Sequence, residues 1–112
     1  MSGILCNWLV CLAVWISTGA SGTCGKIAGI FFPILLFVVA GYEHSVANMY
    51  FISAGIFAKT NELFVALNGA ADLSNLTGLG MFTNNLLPVT IGNIIGGVVF
   101  VAMGYMLALK ER

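Results

Sequence analysis

An apolar run too long for a single membrane helix is the strongest constraint on this chain. It extends from Ile27 to about Ala58 and carries a polar cluster at its middle, Tyr42-Glu43-His44-Ser45 followed by Asn48. At ~1.5 Å per residue a straight helix of that length measures about 48 Å, against about 30 Å for a hydrocarbon core. The run has to be interrupted. Pro33 removes a backbone donor and Gly41 precedes the polar cluster, so the spacing predicts a discontinuous helix broken between Pro33 and Ser45.

The chain as a whole is apolar too. Of its 112 residues 60% are hydrophobic and 7% charged, where a soluble domain carries about a quarter charged residues. That excludes a water-exposed surface all round, a disordered chain and a basic nucleic-acid footprint. Gly3 to about Thr18 reads as a first span and Leu86 to Leu109 as a third, so the fold class is all-α integral membrane with three spans, the middle one broken. Gly19 to Lys26 is a small-residue linker with turn character. Lys59 to about Asn85 reads as an extramembrane loop, with a short helix around Asn61–Leu67. Its Asn75-Leu76-Thr77 triplet matches a glycosylation acceptor, a pattern common by chance.

Lys26, Lys110 and Arg112 lie on one side of this arrangement and Lys59 on the other, which predicts a cytoplasmic linker and C-terminus and an outside loop. No basic region precedes the first apolar segment, so it is not a secretory signal. The abrupt apolar start predicts that an upstream part belongs to the protein.

Cys6, Cys11 and Cys24 match neither a metal site nor a disulfide framework and read as small thiols among helices; no cofactor is expected. The chemistry rests on Glu43 and His44, because an ionisable group inside a span costs several kcal/mol and is functional by default. The bland alternative is a histidine that only bonds a neighbouring helix. His44 and Asn48 share a helix face and line one path. A helix restarting at Glu43-His44-Ser45 points its free N–H groups into the membrane interior, an anion site of the kind discontinuous transporter helices build, with Ser45 or Glu43 as cap. Consecutive helical residues project about 100° apart, which excludes a hydrolase triad of Glu43, His44 and Ser45.

Asn7 and Val10 share a face of the first span, and Thr90 and Asn93 one of the third. For both asparagines, interhelical glue and a pore position stay open. The small-xxx-small pattern within Gly92–Gly97 reads as close helix packing. Phe37 is either a lipid-facing aromatic or a hydrophobic gate.

Three stretches, GILCNWLVCLAVW (Gly3–Trp15), GYEHSVANMYFISAGI (Gly41–Ile56) and NNLLPVTIGNIIGG (Asn84–Gly97), make the chain resemble the formate/nitrite transporter family over nearly its whole length. The resemblance implies an aquaporin-like fold of six spans in two inverted three-span repeats, assembled as a homopentamer with one pore per protomer in the inner membrane. This chain resembles the second repeat, spans four to six; the first repeat and the functional lysine before the fourth span have no counterpart in it. His44 matches the central pore histidine, Asn48 the asparagine one turn beyond, Glu43 the acidic neighbour and Asn7 the polar residue near that histidine on the fourth span. Val10 falls at the cytoplasmic constriction and Phe37 at the periplasmic one. The implied cargo is a small monovalent weak-acid anion such as formate, nitrite or hydrosulfide. Two rivals stand beside this reading: a truncated, non-transporting membrane fragment, and a membrane enzyme using His44, for which the spans supply no further nucleophile or ligand.

Overall fold

A computed structural model describes residues 1–67, 69 and 72–110. Residues 68, 70 and 71 of the expected loop, and Glu111 and Arg112, the latter one of the basic residues that set the expected orientation, lie outside the described residues. Among the described residues there are five helices and no strand: α1 Ser2–Gly19, α2 Thr23–Val39, α3 Ser45–Ala58, α4 Glu62–Leu67 and α5 Gly78–Lys110. α1 and α5 are each long and apolar enough to cross a membrane. α2, of 17 residues, and α3, of 14, are apolar but shorter. At 1.5 Å per residue they rise about 25 and 21 Å, so either alone falls short of a hydrocarbon core of about 30 Å.

The interruption between them sits later than Pro33. α2 continues through Pro33 to Val39, because a proline removes one donor and the surrounding turns carry the helix past it. What ends α2 is Gly41, at φ +64°. The Gly41 amide donates to Val38 O (3.1 Å) and the Tyr42 amide to Phe37 O (3.1 Å). This is the paired Schellman closure, which needs a left-handed residue that glycine adopts without a Cβ penalty. Four residues later the chain is helical again.

α5 begins at Gly78, well before the expected Leu86. Thr77 caps it, its Oγ1 accepting from the Gly80 amide at 3.0 Å. The polar stretch Thr83-Asn84-Asn85, read from sequence as loop, is therefore helical, with π-type hydrogen bonding over Met81–Leu86 and again over Gly96–Met103. The loop before it is correspondingly shorter and is tied to α3: Lys59 Nζ donates to Leu73 O (2.7 Å) and Leu76 O (3.4 Å). The Leu76 side chain lies over Gly55.

α1 is the centre of the assembly, packed against both α2 and α5. Its contact with α5 is backbone-close. A Cβ on Gly96 would overlap the Ile4 carbonyl oxygen, and one on Gly97 would stand 2.7 Å from Asn7 Nδ2. A Cβ on Gly3 would stand 3.1 Å from Val89 O. Trp15 stacks on Tyr105 at 4.5 Å, and Trp8 tilts against Phe100 at 6.3 Å. Among the described residues the buried set is small: Cys6, Ala13, Leu86 and Val101, the glycines Gly3 and Gly96, and Ser45 and Asn93 as its polar members.

Candidate functional site

The break places five backbone residues, Ala40 to His44, between α2 and α3, and α1 and α5 close around them. The organising side chain is Asn93 of α5, which is 7% exposed and uses both ends of its amide. Its Oδ1 accepts from the Ser45 amide (3.0 Å) and from Ser45 Oγ (3.1 Å). Its Nδ2 donates to Gly3 O (2.8 Å) on α1 and to Glu43 O (3.1 Å) in the break. Its backbone carbonyl accepts from Asn7 Nδ2 at 2.6 Å. One asparagine thus joins α1, α5 and the restarted helix.

This changes how α3 is capped. His44 occupies the N-cap position and supplies no side-chain cap; neither Glu43 nor Ser45 caps it either. The oxygen that satisfies the first free amide comes from Asn93 across the bundle, because the N-cap position holds an imidazole, which has no oxygen to offer, while Asn93 Oδ1 lies within reach.

Around this knot the expected residues divide into two groups. In one, the His44 imidazole lies over the Phe37 ring, centroids 6.1 Å apart and planes at 34°. It has no hydrogen-bond partner among the described residues, and both side chains are half-buried. In the other, Asn48 Nδ2 donates to Glu43 Oε2 and to Asn85 Oδ1 (2.8 Å), while Asn85 Nδ2 donates to Glu43 Oε2 at 3.4 Å. His44 and Asn48 are joined by backbone, the Asn48 amide donating to His44 O at 2.9 Å, while their side chains serve different partners. Asn7 contributes as an interhelical tie, and Val10 lies half-buried one turn along α1. The Glu43 amide is held by Ser2 Oγ at 2.9 Å.

Asn85 and Ser2 are the participants that sequence reasoning missed. Asn85 was hidden in a stretch whose polarity imitates a loop. The Thr77 cap was the available signal, since a helix started there puts Asn85 about two turns before Asn93. Among the described residues no buried side-chain nitrogen or oxygen lacks a partner, and no three His, Cys, Asp or Glu residues gather as a metal site. The arrangement offers an uncommitted imidazole against an aromatic ring, with a carboxylate held nearby by two amides.

A family model described as formate/nitrite transporter matches residues 1–107. The chain is 50% identical over 107 residues to a probable formate transporter of Methanothermobacter thermautotrophicus, covering 95% of this chain and 34% of that one. It is 43% identical over 115 residues to the formate channel FocA of Escherichia coli K12, covering 98% of this chain and 40% of that one. A solved structure of a pentameric formate channel with formate bound superposes with a TM-score of 0.81 at 41% identity, over 96% of this chain and 44% of that one. The chain therefore spans well under half the length of the relatives it matches. The apolar helices, the broken middle element and these matches together place the chain in the formate/nitrite transporter family of integral membrane proteins.

Proposed function

We propose that this chain serves the passage of small monovalent weak-acid anions, of the formate, nitrite or hydrosulfide type, across the inner membrane, and that His44 is the residue at which the anion is handled. It would do so as the second inverted repeat of a six-span protomer, in a homopentamer with the linker and C-terminus in the cytoplasm. The supporting observation is the His44 imidazole, held at the restart of a broken helix, against Phe37 and without a hydrogen-bond partner among the described residues.

The physical problem is taking a charge through apolar constrictions, and desolvating an unpaired anion there is prohibitive. Imidazole is the side chain type whose charge changes near neutral pH, so it can lend a proton or a positive field at the midpoint. The anion then crosses the dry step beside Phe37 as a neutral acid or a hydrogen-bonded pair. Phe37 forms the outer constriction and Val10 the inner one in this reading. Glu43, Asn48 and Asn7 shape the polar centre between them.

The test is flux in proteoliposomes, with this chain alone and with it grafted in place of the matching stretch of the E. coli formate channel. His44→Ala is expected to lower formate flux by about tenfold, equivalent to about 1.4 kcal/mol on the barrier, and to flatten its pH dependence. Unchanged flux and an unchanged pH profile in the graft overturn the role of His44. The rival reading, a non-transporting membrane fragment, predicts flux from the graft and none from the chain alone.

A further inference from the structure

We infer that Asn85 is a positioning residue: from α5 it holds the Glu43 carboxylate against Asn48, so that this negative charge is kept off the His44–Phe37 face. The inference rests on the reading of His44 as the anion-handling group.

Glu43 and His44 are neighbours in sequence, yet their side chains have separate partners. Both hydrogen bonds of the carboxylate run to asparagine amides, from Asn48 Nδ2 and from Asn85 Nδ2 at 3.4 Å. The imidazole lies instead on Phe37. Asn85 closes a ring, because its Oδ1 also accepts from Asn48 Nδ2 at 2.8 Å. It therefore orients the amide that serves Glu43 as well as donating to Glu43 itself. Asn48 sits on the same half-helix that follows Glu43, so by itself it would move with the break. Asn85 is the member anchored elsewhere, in the π-hydrogen-bonded start of α5.

Electrostatics supplies the reason for such a tether. In a poorly screened interior a carboxylate beside an imidazole attracts the imidazolium proton and repels an arriving anion, and both effects work against anion passage. Two amide donors stabilise the carboxylate where it stands, since hydrogen bonds to a charged acceptor are about twice as strong as neutral ones. The other ionisable groups around this carboxylate do not replace that tether. Cys6 of α1 lies within electrostatic reach of it, and Asp72 shares with Asn85 the lining of a cavity of about 390 Å³. From α2 Phe37, which does not titrate, lies against His44 rather than against the carboxylate's two amide donors.

The experiment is infrared spectroscopy of the full chain in lipid vesicles, reading the antisymmetric stretch of the ionised Glu43 carboxylate. The chain has four acidic residues, so the Glu43 band is assigned as the one lost in Glu43→Gln. Asn85→Leu is expected to shift and broaden that band, and Asn85→Gln, which keeps donor and acceptor, to restore most of it. Should Asn85→Leu fail to insert, Asn85→Ala is read in the same way. A Glu43 band unmoved in the leucine or alanine variant overturns the proposal. In the grafted channel Asn85→Leu should lower formate flux by about tenfold in the native background but change it by less than about twofold when Glu43→Gln is already present, because contacting groups are coupled and the charge to be held is gone. Equal losses in both backgrounds overturn the positioning role. Indifference of flux to His44→Ala overturns the functional reading instead, and leaves the infrared result standing.

Discussion

An amide buried among apolar helices is tolerable only when each of its polar atoms is paired, and Asn93 meets that condition with four side-chain hydrogen bonds. Replacing it by leucine keeps the volume but strands the Ser45 amide and the Glu43 carbonyl and removes the second bond to the Gly3 carbonyl, which lies within α1. Each stranded group costs about 1–3 kcal/mol, though interhelical bonds in membranes average nearer about 0.6 kcal/mol. Asn93→Leu is accordingly expected to destabilise the protein by about 2 kcal/mol, a figure inside those bounds. Thermal unfolding in detergent checks it, and a melting point equal to the parent's would show that Asn93 is not the tie. At this scale the sequence was informative about charge and poor on amides. Glu43 and His44 stand out in an apolar run, whereas Asn85 reads as loop and Asn93 as interhelical glue or a pore residue, the choice left open. The reason is that an amide's role depends on what it faces, and the facing groups come from helices distant in sequence.

Among the elements, the broken helix was predictable from length, and the break at Ala40 to His44 falls between Pro33 and Ser45 as expected; which of Pro33 and Gly41 ends the first half was not predictable. Pro33 invites a break, but a lone missing donor is a local cost, whereas Gly41 supplies a conformation that the closing hydrogen bonds of α2 require. The start of α5 was misjudged for a related reason. Polarity at Thr83-Asn84-Asn85 signals solvent unless the residues meet partners, and here Asn85 meets Asn48 and Glu43. In the loop, the Ser74 amide donates to Asp72 Oδ1 at 2.9 Å, which with the Ser74 side chain holds that carboxyl below its usual range. A lowered folded value means the turn is supported above the ordinary carboxylate range and loses that support as pH falls below that range and through the lowered value. The sharpest element-scale prediction concerns the α1–α5 contact. Gly96→Leu drives a side chain into the Ile4 carbonyl, while Gly104→Leu meets nothing within 4 Å. The first should lower the melting temperature by several degrees and the second leave it within about one degree, since overpacking costs about 1–3 kcal/mol and open sites almost nothing. Equal shifts for the two variants would show that the helices do not approach closely at Gly96.

As a whole, the molecule is turned inside out by the standards of water. α2 buries no residue, and Phe31, Phe32, Leu36 and Val39 are all exposed on it. An apolar surface of this extent needs lipid or further helices. Orientation is testable through the exposed Cys24 at the start of α2, because Cys6 is buried. An impermeant maleimide should label inverted membrane vesicles and spare intact cells, with Cys24→Ala abolishing the signal; labelling of intact cells reverses the assignment of sides. From sequence alone came the apolar, membrane-type character, the need for a break and the family, all consequences of length, hydropathy and local motif that are read along one dimension. Tertiary structure alone decided that Gly41 rather than Pro33 ends the half-helix, that Asn93 and not a local residue caps α3, and that Glu43 and His44 have separate partners. Those outcomes depend on donors and acceptors brought together across the bundle, up to 90 positions apart in the chain for Asn93 and Gly3. Hydrogen bonds are satisfied by distance in space, and that distance is set only when the helices pack.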